Sequence, residues 1–371
     1  MRRAPRVLLI VLAVLLLIVA AGAWYVSPTP PTLLKSGQRM QAVLYHEYGS
    51  PAVLHLENTE KPLPDANQVL IKVQAAAANP LDWHHMRGVP YVIRMGTGWR
   101  RPVDTRLGVD VSGTVEKVGK NVTQFKAGDA VFGAGDGAFA EYALASQDNI
   151  ALKPPNLTFA QAAAVPIAAL TALQGLRDEG RLRAGQHVLV NGASGGVGTF
   201  AVQLAKWLGA QVTGVCSTRN VELVRSLGAD RVIDYTREDL ARSPEKFDLI
   251  LDNVGNRPLA QFKGLLNPQG TYVLIGGGGP GENGLLGPLT APIKEFFYSP
   301  FVTQRFVMLL ASVDKKDLGI LKDLLQTGKI RPVLDKTYPL SETPAAMRYL
   351  EAGHAHGKVI IVPSGLTPGA P

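Results

Sequence analysis

The stretch Asn191-Gly-Ala-Ser-Gly-Gly-Val-Gly198 is the part of this chain best suited to chemistry on an anion. It follows a short apolar run, His187-Val-Leu-Val, and precedes a helical pattern over residues 199–208 with Phe200, Leu204, Trp207 and Leu208 on one face. Read against the dinucleotide-binding pattern it is Ala193-x-Gly195-x-x-Gly198, with alanine at the first glycine position. Gly195 would let the backbone approach a pyrophosphate, and Gly198 would let helix pack closely on strand. Ser194, Gly196 and Val197 complete the turn. The helix start would add free N–H donors and a positive dipole end. A glycine-rich turn with no ligand is the plain alternative, and the strand–turn–helix context argues against it.

The end of the next strand pattern, Val212-Thr-Gly-Val-Cys, selects between cofactors. An NAD site places Asp or Glu about twenty residues on, to grip the ribose hydroxyls. Nineteen residues after Gly198 this chain has Ser217-Thr218-Arg219 and no acid. Arg219 would pair with a 2′-phosphate and Ser217 would donate to it, which predicts NADPH over NADH. A solvated residue at a helix start is the other reading of Arg219.

The elements around the turn are those of a large protein. The chain has 371 residues, 46% of them hydrophobic and 18% charged, which suffices for a core and excludes wholesale disorder. From residue 41 to about 147 the pattern is short strands and turns, as in Gln68-Val-Leu-Ile-Lys-Val-Gln and Val111-Ser-Gly-Thr-Val-Glu-Lys-Val, and predicts an all-β lead domain. From about residue 157 helices alternate with buried strands: an Ala-rich helix over 159–177, a helix over 221–227, and strands at Val232-Ile, Asp248-Leu-Ile-Leu-Asp and Thr271-Tyr-Val-Leu-Ile-Gly. Such alternation predicts a parallel, doubly wound sheet. Helices over 318–326 and 344–351 and a last strand, Lys358-Val-Ile-Ile-Val, are read as returning to the first domain. The expected division is 40–155 with 312–371 for one domain and 156–311 for the other.

Ahead of these, residues 7–26 run for twenty positions without a charge, long enough at about 30 Å to cross a bilayer core. Arg2, Arg3 and Arg6 precede the run, and Trp24 and Tyr25 close it as interfacial anchors. A single transmembrane anchor is expected; a signal peptide cleaved near Ala21-Gly22-Ala23 is the alternative. Residues 27–39, opening Ser27-Pro-Thr-Pro-Pro-Thr, read as a Pro-rich linker. Without the three leading arginines the net charge falls from +8 to +5, and the rest is scattered singly, so no nucleic-acid face is indicated. Those arginines outweigh Lys35 and Arg39, which favours a cytoplasmic N-terminus and an enzyme outside. NADPH supply favours the opposite, and a cytoplasmic enzyme is the expectation preferred.

One cysteine, Cys216, excludes an intramolecular disulfide and a cysteine-based zinc site. His84, His85, His354 and His356 are read as structural or exposed rather than as a metal set.

Several further segments, taken with the turn, resemble the medium-chain dehydrogenase/reductase superfamily in its zinc-free, quinone-oxidoreductase-like (zeta-crystallin-like) branch. They are Asn79-Pro-Leu-Asp-Trp-His, Gly108-Val-Asp-Val-Ser-Gly-Thr-Val, Gly128-Asp-Ala-Val-Phe-Gly, Ala162-Ala-Ala-Val-Pro, Asp252-Asn-Val-Gly and Gly357-Lys358. Zinc-dependent relatives carry Gly-His-Glu where this chain has Gly108-Val109-Asp110. The resemblance implies a GroES-like β-rich catalytic domain and a Rossmann domain, with NADPH between them and no zinc. It implies hydride transfer to a quinone or an electron-poor C=C bond of a small lipophilic electrophile. Catalytic positions by resemblance are Asn79, Asp82 and His84. Many relatives carry tyrosine at the place of His84, so the proton donor departs from the pattern. Thr171 and Val165 would lie near the nicotinamide, Tyr235 near the 2′-phosphate or adenine, Asn253 and Val254 near the second ribose, Ile275, Gly276 and Gly277 after the next strand, and Lys358 near the phosphates.

Residues 281–306 are rich in glycine and then in aromatics; core packing, a homodimer interface, a lid or a second membrane contact through Lys294 and Arg305 all suit them. Two rival functions stand beside the leading one: an enoyl-thioester or alkenal reductase on the same scaffold, and a non-catalytic NADPH-binding protein.

Overall fold

The computed structural model describes residue 31, residues 33–276 and residues 303–363. The anchor read at 7–26 and most of the 281–306 segment lie outside the described residues, and among the described ones no helix is long and apolar enough to cross a membrane.

The chain opens with a hairpin, β1 (Leu34–Leu44) and β2 (His55–Leu63). Strand β1 takes in six residues read as linker: Leu34 pairs with Leu63 and Arg39 with Glu60. There follow β3 (Gln68–Ala78), helix α1 (Pro80–Arg87), β4 (Asp110–Val118), β5 (Ala130–Ala134), β6 (Tyr142–Ser146) and β7 (Ile150–Leu152). Helix α1, like a single helical turn at Arg94–Thr97, departs from an all-β reading. Asn79 and Asp82 form a capping box and Pro80 stands in its first turn, so local chemistry starts a helix after a strand.

Helices α2 (Phe159–Ala163) and α3 (Pro166–Gln174) replace the single helix expected over 159–177. Pro166 has no N–H to continue α2 and is suited to begin α3. Next come β8 (His187–Asn191), α4 (Gly196–Trp207), β9 (Gln211–Cys216), α5 (Val221–Ser226), β10 (Arg231–Asp234), β11 (Phe247–Asp252), α6 (Leu259–Leu265), β12 (Leu266–Leu274) and β13 (Arg305–Met308). The chain closes with α7 (Lys315–Gln326), β14 (Leu334–Pro339), α8 (Thr343–Glu351) and β15 (Lys358–Val362).

Two large sheets result. One is parallel, in the order β10-β9-β8-β11-β12-β13, the doubly wound order in which the chain reverses direction beside β8. The other runs β14-β15-β3-β4-β5-β7, and β6 shares an edge of β3 with β15: β6 pairs its start and β15 its end. Ala75 and Ala77 of β3 are buried with Ala160, Ala163 and Ala164 around α2, so small side chains let helix lie close on sheet.

Phe200 and Leu204 of α4 are fully buried in the nucleotide-side core, but Trp207, read onto the same face, is 41% exposed at the helix end. Truncating Phe200 to alanine would cost about 3–5 kcal/mol. Helix α7 also enters that core through Leu318, Leu321, Leu324 and Leu325, so the C-terminal return is not confined to the first sheet. Arg305 pairs with Glu179 and Phe306 packs beside Tyr272, which places both in β13, at the end of the parallel sheet.

Candidate active site

Strands β8 and β11 end side by side at Asn191 and Asp252, where a doubly wound sheet opens its crevice. The two ends are locked together. Asn191 Nδ2 donates to Asp252 Oδ1 at 2.8 Å, and the same oxygen accepts the backbone N–H groups of Val254 and Gly255 at 3.0 Å. Tyr272 donates its hydroxyl to Asp252 Oδ2 at 2.8 Å, so this fully buried carboxylate is satisfied on both oxygens.

The glycine-rich turn leaves β8 at Gly192, whose φ of +74° and closeness to Val254 admit no side chain. Gly198 is equally constrained, since a Cβ there would stand 2.0 Å from Gly192 O. Gly195 differs. Its φ is −79°, and a Cβ would meet only Gly192 O, at an ordinary 3.5 Å. Nothing among the described residues requires glycine there, and the bare backbone leaves room for a ligand to approach it. Gly195 is also the N-cap of α4 with no side-chain cap, so the first N–H groups of the helix face the turn ready for an anion. Asn253 donates to Asn191 O at 2.8 Å, while its own buried Oδ1 has no partner among the described residues. A ribose hydroxyl or a carboxamide N–H would satisfy it. On these three observations the residues present fit a dinucleotide.

Ser194 is buried, Ser217 half-buried, and Asn220 donates to both hydroxyl oxygens, at 3.0 and 3.4 Å. Arg219 is exposed just beyond β9, its Nη2 donating to His354 O at 2.9 Å. Tyr235, at the end of β10, is 52% exposed and is held by its N–H to Cys216 O. Ala193 is fully buried, its N–H on Val215 O and its methyl beside Gly214, so it supports the turn from beneath. Val197 is half-buried and Val254 exposed, while Val165 is fully buried. Thr171 donates to Ile167 O at 2.6 Å inside α3. Ile275 and Gly276 follow β12, where a Cβ on Gly276 would collide with Asn253 O. Gly277 lies outside the described residues. Burial pushes the Cys216 thiol up to about 11, so it carries no thiolate chemistry at neutral pH.

Across the crevice, Asn79 and Asp82 are 2% and 1% exposed. Asp82 accepts Asn79 N–H at 2.7 Å and Gly108 N–H at 3.2 Å. Burial raises its carboxyl to about 7, Asp110 adding to the rise while the two N–H donors and Lys358 oppose it. Asn79 Nδ2 donates to Asp110 Oδ2 at 2.9 Å, Lys358 Nζ donates to that oxygen at 2.9 Å, and Lys358 also reaches Asn79 Oδ1. Lys358 is therefore buried, its stem against Gly196 of the glycine-rich turn and its ammonium on Asp110 and Asn79.

His84 stands apart from this network. It is half-buried, stacked on Trp83 at 3.7 Å, with Nδ1 2.7 Å from Val89 O. A carbonyl can only accept, so Nδ1 carries the hydrogen and Nε2 of the neutral ring is an acceptor. Burial lowers the imidazole pKa. Among the described residues no three His, Cys, Asp or Glu side chains group as metal ligands. His354 and His356 sit before β15, with His356 Nδ1 3.4 Å from Asp335.

Sequence reasoning missed Asp110 and Asn220 as parts of this site. Asp110 had a signal, its place in Gly108-Val-Asp, but its meaning depends on Lys358, 248 residues away. Asn220 had none beyond following Arg219.

Comparison with known proteins agrees with this architecture. Residues 65–155 match the family described as alcohol dehydrogenase GroES-like domain, and residues 227–361 the one described as zinc-binding dehydrogenase. The chain is 36% identical to a chloroplast envelope quinone oxidoreductase homolog of Arabidopsis thaliana, covering 88% of this chain and all of that one. It is 37% identical to an NADPH-dependent alkenal/one oxidoreductase of the same plant, over 88% of this chain and 80% of the other. Its fold superposes on the quinone oxidoreductase from Coxiella burnetii with a TM-score of 0.75 at 33% identity, over 88% of this chain and 99% of that one.

Proposed function

The chain belongs to the medium-chain dehydrogenase/reductase superfamily as a quinone-oxidoreductase-like protein, and from that premise we propose an NADPH-dependent, zinc-independent reductase of quinones or electron-poor C=C bonds. It is an enzyme, a nicotinamide-dependent oxidoreductase, which sets aside a purely binding role.

The observation that carries the NADPH preference is Arg219, exposed beyond β9 where an acid would select NADH and oriented by His354 O. Ser217 supports it, because Asn220 donates to its oxygen and leaves its own O–H free. When bound, the nicotinamide supplies hydride to the acceptor. The chain's residues do the rest. The turn from Ser194 to Gly198 and the start of α4 hold the pyrophosphate, Asn253 Oδ1 accepts from the ribose or carboxamide, and Thr171, Val254, Ile275 and Gly276 wall the nicotinamide end. Tyr235 flanks the adenosine end.

Asn79 and Asp82 are too buried to touch a substrate, so they orient the start of α1. His84 is assigned the proton. With Nδ1 committed to Val89 O, its Nε2 donates only when the ring is protonated. A substrate carbonyl that gains negative charge needs such a donor.

Residues 7–26 anchor the enzyme at a membrane in this reading, with the catalytic part on the cytoplasmic side and a lipophilic acceptor in reach. An alkenal or enoyl-thioester substrate is the second reading, favoured by the likeness to the alkenal/one oxidoreductase. The test is NADPH oxidation with 9,10-phenanthrenequinone, 1,4-naphthoquinone and a panel of enones and enoyl thioesters. Turnover confined to quinones or enones supports the reading; NADPH oxidation by simple aldehydes alone, with none of that panel turned over, defeats it.

A further inference from the structure

We infer that Lys358 is a positioning residue: it holds the phosphate-binding turn and the substrate side of the cleft in one register and does not grip the cofactor's phosphates. The inference rests on the cleft between the two sheets being the cofactor site.

The dipeptide Gly357-Lys358 touches both sides of that cleft. Gly357 N–H donates to Ser194 O at 2.9 Å, and Gly357 bridges Gly195 in parallel. The Lys358 stem then crosses the turn so closely that a Cβ on Gly196 would stand 3.0 Å from its Cδ. Its ammonium passes beyond the turn to Asp110 Oδ2 at 2.9 Å and to Asn79 Oδ1, with 3% of the residue exposed.

Asp110 distributes this contact. Its other oxygen accepts Ile167 N–H at 2.9 Å in the first turn of α3, and Asn79 Nδ2 shares the oxygen Lys358 uses. Asn79 N–H leads on to Asp82, and Asp82 to Gly108 N–H. One side chain therefore links the turn, the start of β4, the start of α1 and the start of α3. For the ammonium to reach a phosphate it would have to abandon a fully buried Asp110, and an uncompensated buried carboxylate is strongly unfavourable.

A ligand that spans the cleft senses this tie, whereas an adenosine fragment resting on the parallel sheet alone does not. The experiment compares NADPH with 2′,5′-ADP by calorimetry on the full chain and on Lys358→Met and Lys358→Met/Asp110→Asn. The double variant removes both charges, so folding is not burdened by one unpaired carboxylate. NADPH should bind about tenfold more weakly to both variants, an ordinary size for coupling between two parts of a site, with 2′,5′-ADP within about twofold of wild type. In the same variants kcat should fall about 10- to 100-fold, as a misplacement of about 1 Å produces. Equal loss for both ligands would make Lys358 a phosphate contact, and no loss for either would make the network ordinary packing; each overturns the inference. If wild type prefers NADH, the cofactor preference fails separately, and NADH against 5′-AMP then decides the tie by the same comparison.

Discussion

Asn220 donates from one amide nitrogen to Ser194 Oγ and Ser217 Oγ, at 3.0 and 3.4 Å, joining the glycine-rich turn to the end of β9. Both serine oxygens act as acceptors, so both O–H groups remain free to donate to an anion. Asn220→Asp replaces donor by acceptor and adds a negative charge. NADPH affinity should fall at least about tenfold, with a smaller loss in Asn220→Ala of about 1 kcal/mol. Equal affinities for wild type and Asn220→Asp would rule out this arrangement of the hydroxyls.

The two glycines of the turn answer differently to a methyl group. Gly195→Ala has a permitted φ and open space, so its melting temperature should match wild type while NADPH binding is lost. Gly198→Ala meets Gly192 O at 2.0 Å and should destabilise the fold by about 1–3 kcal/mol. Thermal melts with and without NADPH read both. A Gly195→Ala protein that still binds normally would mean the cofactor lies elsewhere.

Arg219→Ala should weaken NADPH about 10- to 100-fold, as loss of a charge-assisted phosphate contact does, and leave NADH nearly unchanged. Dissociation constants for both cofactors check it. A parallel loss for NADH would remove the 2′-phosphate from its role.

His84 sets an unusual pH profile. Burial holds its pKa below the ordinary histidine value, so the donating imidazolium forms only on the acid side. With the cofactor saturating, kcat should therefore rise as pH falls through that range. His84→Tyr, which supplies a neutral O–H donor, should flatten the profile and retain activity near pH 8, whereas His84→Phe should lose at least about tenfold on the acid side and little near pH 8, where the wild-type ring is neutral. A wild-type profile unaltered in His84→Phe would exclude the histidine from proton transfer.

Deleting residues 1–33 leaves β1 whole, since that strand begins at Leu34. The shortened protein should fold with an unchanged melting temperature. Its activity should drop more on a quinone held in vesicles than on a soluble one. Equal activity on both, relative to the full chain, would count against an anchoring role.

Local sequence was enough for much of this protein. Strand–turn–helix spacing around Gly195 and Gly198 and the alternation after residue 157 depend on neighbours a few positions apart, so the parallel sheet and its glycine-rich turn were legible. Pairings across the chain were not. That α1 interrupts the β-rich part, that β1 reaches back to Leu34, and that α7 joins the nucleotide-side core follow from packing partners far away in sequence. The roles of polar residues were decided the same way. Lys358, expected at the phosphates, is held by Asp110 and Asn79, and His84 is turned by Val89 O into an acceptor until it is protonated. A side chain's type is written in the sequence, but whether it is buried, paired or free depends on which groups the fold brings within about 3 Å.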